Sequence, residues 1–241
     1  VPKPHLVLSC DASHFDHLKT QKFYGLEKEL PSHTFTPWKG AYSFPKPESQ
    51  ARVIASPVAF TSYGIRTVAY RDESSPLLLI ATELLENLIL HKEIREKGGA
   101  YGSGANYSPS SGNFHFYAFR DPHLVQSIAA FHMAIEKIGT GAFDERELEE
   151  AKLGVIQTLD SPVPPGGRAM IAYSWLRAGR TLQLREAFRK KILTATKAEV
   201  ANAVKQHIHL EKGIVATFLG DELLKKEQKK LKIQLSVLPI A

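Results

Sequence analysis

The alternation of apolar and polar residues divides this chain into short strand-like runs and longer helical ones. Residues 5–10 (HLVLSC) form a brief apolar run that predicts a leading strand, ending at Asp11-Ala12-Ser13, which can start a helix. Residues 14–29 repeat their apolar positions at helical spacing, and Pro31 closes them. Residues 31–50 carry Pro37, Gly40, Pro45 and Pro47 without any period and predict a connecting arm, the one candidate internal boundary. Two strands follow, 52–62 and 65–71, with Tyr63-Gly64 as the turn between them. Pro76 opens a long helix running to about Ile94, since the first turn tolerates a missing N–H. Glycine-rich residues 98–104 stop it, and 101–108 and 113–120 then read as strands. The second of these (NFHFYAF) carries Phe114 and Phe116, then Tyr117 and Phe119.

The remainder is mostly helical. Helices are predicted over 123–138 and 144–159, then, after a break at 162–167, near 168–178, 182–192 and 196–209. Thr196 followed by Glu199 has the capping-box spacing, in which each side chain satisfies the other's free backbone donor. An apolar strand at 214–219, a lysine-rich helix and a tail strand at 233–238 end the chain. Two strands, a helix and two strands in succession predict an α+β fold. Its sheet should be mostly antiparallel or mixed, with helices packed on one face, rather than doubly wound and parallel. The expected organisation is one domain over 1–241: a leading strand and helix (1–30), a connecting arm (31–50) and a main α+β body (51–241).

Composition narrows the class. At 43% hydrophobic and 23% charged, the 241 residues are those of an ordinary folded protein, able to bury most of their apolar surface. A single cysteine, Cys10, excludes an intramolecular disulfide framework and a cysteine-rich zinc site. It points to a reducing compartment, such as bacterial cytoplasm or an organelle matrix, and its apolar run predicts a buried, inert thiol. The longest apolar stretch, 77–90, is interrupted by Glu83, Glu86 and Asn87, so no membrane span is expected. The opening residues Val1-Pro2-Lys3-Pro4-His5 have neither an initiator Met nor a signal-peptide core, which predicts a start within a longer protein. The charge of +6 owes much to five lysines in 225–232. With no interleaved aromatics, that run reads as a solvated helix, and no nucleic-acid partner is expected.

The usual catalytic patterns are missing. His14 and His17 share a helical face with only Asp11 and Asp16 beside them. His207 and His209 are two apart, and His115 stands alone on its strand. No HExxH, HxxEH or GxSxG occurs, and GGAYGSG at 98–104 follows a helix, whereas a phosphate cradle opens one. No metal site is expected on this chain.

One segment stands out: a helix ends in charged residues, Gly98-Gly99 lets the backbone turn, and a strand begins at Tyr101. Arg95 on the last helical turn and Tyr101 beyond the glycines can face one spot. A cationic fork and a phenol there can grip a peptide carbonyl and stabilise the charge that develops on it. The same pattern also suits a capped helix with a buried tyrosine.

The stretch IREKGGAYGSGANYSPSSGNFHFYAFRDP resembles the signature of the non-catalytic half of pitrilysin/insulinase-type zinc metallopeptidases. With five residues between Arg95 and Tyr101, it is most similar to the presequence-protease (falcilysin-like) branch. FRDP, ELEEAK at 147–152 and the break at 161–167 fit that branch too. The resemblance implies the metallopeptidase-family (LuxS/MPP-like) domain fold and the C-terminal position within an enzyme built as two halves around a chamber. It implies zinc bound by HxxEH in the N-terminal half, or in a zinc-bearing partner subunit, with none bound here. It implies unfolded peptides as substrates, Arg95 and Tyr101 reaching the scissile bond, and Gly98 and Gly99 beside them in substrate binding. The helix from Pro76 is then the counterpart of the zinc helix, and Glu83-Leu84-Leu85-Glu86-Asn87 keeps the spacing of HxxEH without either histidine. A non-catalytic structural or partner subunit of the same fold is the alternative.

Overall fold

A computed structural model describes residues 5–26 and 47–238. By chain contacts it divides into two compact units, residues 1–45 with 161–182, and residues 46–160 with 183–241.

In the smaller unit, helix α1 (Ala12–Thr20) starts where the Asp11 carboxylate accepts the His14 N–H, satisfying a donor that has no helical partner. Residues 5–10 form no strand, and Cys10 is exposed. The predicted strand and buried thiol are therefore corrected: Leu6 and Leu8 are themselves exposed, with no ladder to hide them. A 3-10 turn (Lys22–Gly25) ends the first helix early; residues 27–46, most of the predicted arm and the end of its helix, lie outside the described residues. Helix α5 (Pro165–Arg177) also belongs to this unit, and its Tyr173 hydroxyl pairs with the His5 ring.

The larger unit is built on one mixed sheet. Its strands are β1 (Gln50–Val53), β2 (Ala59–Arg66), β3 (Gly102–Ser108), β4 (Asn113–Asp121), β5 (Ile214–Leu219) and β6 (Ser236–Leu238). They lie in the order β3-β4-β2-β5-β1-β6. The β3-β4-β2-β5 pairings are antiparallel, while β1 runs parallel to both β5 and β6. This corrects the expected hairpin at Tyr63-Gly64. The chain turns earlier, around Ser56-Pro57, and Tyr63 is buried in mid-strand with its hydroxyl donating to the Leu210 carbonyl at 2.7 Å. Strand β5 then enters between β1 and β2, and a buried Thr61–Thr217 hydroxyl pair at 2.9 Å joins it to β2.

The helices α2 (Ser75–Leu85), α3 (Leu124–Gly139), α4 (Glu145–Leu159), α6 (Leu182–Thr194) and α7 (Lys197–His207) account for the predicted helical stretches. Helix α2 and its continuation pack along β3, and α3, α4 and α7 each pack against α2, with α3 also against α7. Their shared core centres on Phe114, Phe116 and Phe131, all 0% exposed, with the Phe116 and Phe131 rings stacked at 5.1 Å. Capping boxes at Asp144/Glu147 and at Thr196/Glu199 start α4 and α7. The lysine-rich helix α8 (Asp221–Glu227) keeps its lysines exposed, but Glu227 is buried and accepts the Val125 N–H at 3.0 Å. A carboxylate there complements the positive N-terminal end of α3.

Candidate functional site

The helix entering the site changes its winding. From Glu86 to Glu96 it is a π-helix, where an uninterrupted α-helix was expected. Buried positions recur five apart, Leu85 with Leu90 and Ile89 with Ile94, so wider turns keep the apolar face on the core. The same widening lines up His91 with residues both four and five positions on. Its ring nitrogens contact the Arg95 guanidinium at 3.2 Å and the Glu96 carboxylate at 3.3 Å. Arg95 is exposed at the end of this row.

Gly98 and Gly99 make the turn for different reasons. A side chain on Gly98 would place its Cβ 2.6 Å from the Ile94 carbonyl oxygen, so only hydrogen fits. Gly99 has φ +75°, a left-handed conformation that ends helices at little cost in glycine, and its N–H returns to the Arg95 carbonyl. Gly98 is buried and Gly99 exposed.

Tyr101 emerges from this turn 68% exposed, which rejects the buried-tyrosine reading. Its N–H is shared between the carbonyls of Phe119 and Arg120, at 3.1 and 3.4 Å. Its ring meets Phe119 edge-on at 6.1 Å, and the Arg120 guanidinium lies 5.7 Å from its centre. Arg95 and Tyr101 thus flank one glycine turn, but each has its own partners: His91 for Arg95, and Phe119 with Arg120 for Tyr101.

Behind Tyr101 runs an aromatic stripe that the sequence reading missed. On the sheet face away from the helices, Phe119 is registered with Gly102 and Phe60, and Phe60 with Phe218. Phe60 and Phe119 touch edge-on at 5.1 Å, and Phe119 and Phe218 are each 43% exposed. The signal lay in NFHFYAF: Phe114 and Phe116 keep one parity, Tyr117 and Phe119 the other, so the aromatics divide between two faces. A stripe of exposed rings suits apolar side chains of an extended peptide, and a phenol at its end can donate to a carbonyl or an oxyanion.

Glu83 to Asn87, the expected counterpart of the zinc motif, lie on the same helix. Glu83 and Glu86 are half-buried rather than freely solvated. Burial pushes the Glu83 carboxyl above the usual range, and nearby Glu86 adds to this. Burial also raises Glu86, opposed by the Ala105 N–H and by His91. Gly104 leaves room for this group: a Cβ there would lie 2.7 Å from the Glu86 carboxylate and 2.8 Å from the Tyr117 hydroxyl. Asn87 is exposed. No group of three or more His, Cys, Asp or Glu among the described residues is arranged to hold a metal ion. None of the helices described is long and apolar enough to cross a membrane.

A family model described as the PreP C-terminal domain matches residues 59–217. The mouse mitochondrial presequence protease is 32% identical over 160 residues, covering 66% of this chain and 15% of that protein's length. Among solved structures, the inactive domain of a peptidase M16 from Pseudomonas fluorescens superposes with a TM-score of 0.66 at 14% identity, over 96% of this chain and 53% of that one. A chain of complex III2 from Candida albicans superposes with a TM-score of 0.61 at 18% identity, over 86% of this chain and 53% of that one. These two structures share the fold alone, a mixed sheet with helices on one face. The match over residues 59–217 takes in the glycine turn, the sheet strands β2 to β4 and the helices between them, and by it the chain belongs to the presequence-protease C-terminal domain family.

Proposed function

We propose that this chain is the C-terminal substrate-binding domain of a zinc-dependent peptidase that degrades unfolded peptides. In this reading residues 1–241 act as one domain, and the zinc is held by an N-terminal half or a zinc-bearing partner subunit. Zinc bound there would supply an activated water, and a glutamate of that half would act as base. The observation that carries the reading is the exposed Tyr101 at the end of the aromatic stripe, one glycine turn beyond Arg95. Tyr101 donates its hydroxyl hydrogen to the scissile carbonyl and to the oxyanion that forms from it. Arg95 orients the peptide backbone, Gly98 and Gly99 keep the turn low so that the peptide can approach, and the stripe holds apolar side chains. An organelle matrix is the compartment this reading favours, since the mouse relative is mitochondrial by name.

A second reading is a structural subunit of the same fold, favoured by the likeness to a chain of complex III2. One reconstitution separates the two. The chain is mixed with its zinc-bearing half and assayed on an unstructured peptide. Peptidase activity from the mixture, with neither piece active alone, is the expected result. Full activity of the zinc half without this chain would overturn the proposal. A stable complex that cleaves nothing would favour the structural subunit.

A further inference from the structure

Strand β4 breaks its pairing beside Tyr101. Asp121 pairs with Ala59, and Phe119 with Phe60, so Arg120 is an extra residue without a partner on β2, a β-bulge. Its φ is +51°, the left-handed conformation, which costs energy in any residue but glycine. The bulge has a definite consequence. In an unbroken strand Phe119 and Arg120 would face opposite sides of the sheet. Here both are exposed, while Asp121 is 0% exposed and bonded to the Ser127 hydroxyl and the His123 N–H. The guanidinium is thereby brought over two rings, 5.7 Å from the centre of Tyr101 and 5.8 Å from that of Phe119. The same bulge offers the two carbonyls that share the Tyr101 N–H.

We infer that Arg120 is a positioning residue for Tyr101, its strained backbone maintained because the bulge alone sets the cation against the phenol ring. Backbone strain of this kind persists where surrounding structure over-determines it, and it gathers at functional sites. Glycine would relax the strand, but it would remove the cation. Lysine would keep a cation over the rings without the planar fork.

This inference rests on the proposed role of Tyr101, so the test carries Tyr101→Phe alongside. Arg120→Ala, Arg120→Lys and Arg120→Gly are made in the enzyme assembled with its zinc-bearing half, and kcat and KM are measured on one peptide. Arg120→Ala should lower kcat about fivefold with KM nearly unchanged, the scale expected for loss of an exposed cation–π contact. Arg120→Lys should recover most of that loss. Arg120→Gly should lose kcat as Ala does while its melting temperature holds or rises, so that stability and turnover part company. Wild-type kcat in Arg120→Ala, with Tyr101→Phe impaired, would overturn the positioning role and leave the role of Tyr101 standing. A raised KM at unchanged kcat would show that Arg120 holds substrate directly, and failure of Lys to rescue would equally contradict the inference. If Tyr101→Phe keeps full turnover, the reading beneath the inference falls with it.

Discussion

Strand β4 carries aromatic rings on both faces of one sheet, and the two faces are used in opposite ways. Phe114 and Phe116 are 0% exposed under the helices, Phe114 against Phe116 and Phe116 against Phe131. Phe119, three residues beyond Phe116, is 43% exposed and has for company Phe60, Tyr101 and Arg120. Ring chemistry is the same on the two faces; what differs is whether the fold supplies atoms to cover the rings. Buried rings return their transfer free energy to folding, whereas the open ones leave it unspent and available to a ligand.

Truncating one ring on each face separates their roles. Phe116→Ala should lose about 3–5 kcal/mol of stability in urea titrations, the usual result of emptying a packed core site. Phe119→Ala should lose less than about 1 kcal/mol, yet weaken peptide binding by the assembled enzyme. Equal losses in stability would erase the distinction between the faces. Next, Gly98→Ala probes the turn that joins the core helix to the open face. With 2.6 Å between its Cβ and the Ile94 carbonyl oxygen, it should lose on the order of 2 kcal/mol and displace Tyr101, read as lower turnover.

Much of this arrangement was legible beforehand. The alternation in β4, the strand at Ile214–Leu219 and the Thr196/Glu199 box follow from local rules, and the structure keeps them. Gly98-Gly99 marked the turn because glycine is the residue that such turns demand. Three features were not legible. Tyr63-Gly64 looks like a hairpin turn because glycine is common there, yet pairing with the distant β4 and β5 carries β2 straight through it. The π-winding leaves its trace in five-residue recurrences that resemble ordinary amphipathic scatter. The bulge at Arg120 is invisible because its position asks for glycine and the chain has arginine.

Smaller effects test the frame that holds both faces in place. The Lys191 ammonium and the Thr196 N–H hold the Glu199 carboxyl down to about 2, against an ordinary 4.5. A lowered folded-state value means that stability is gained above about 4.5 and lost as pH falls toward 2. Thr196→Ala should lose about 1 kcal/mol at neutral pH, and Glu199→Gln should flatten the acid limb of the urea midpoint against pH. Glu83 has the opposite sign. Burial and Glu86 raise it, so its protonated form is favoured by folding and its charge opposes folding at neutral pH. Glu83→Gln should raise the melting temperature slightly at pH 7, and the difference should vanish as pH falls below the ordinary unfolded value of 4.5.

In the proposed function the open face completes an active site through Tyr101. The direct measurement is turnover of the assembled enzyme with Tyr101→Phe, which removes one hydroxyl from a ring that is 68% exposed. kcat should fall about 100-fold, with melting temperature and zinc content unchanged. Turnover within about twofold of the unsubstituted enzyme would remove Tyr101 from the chemistry.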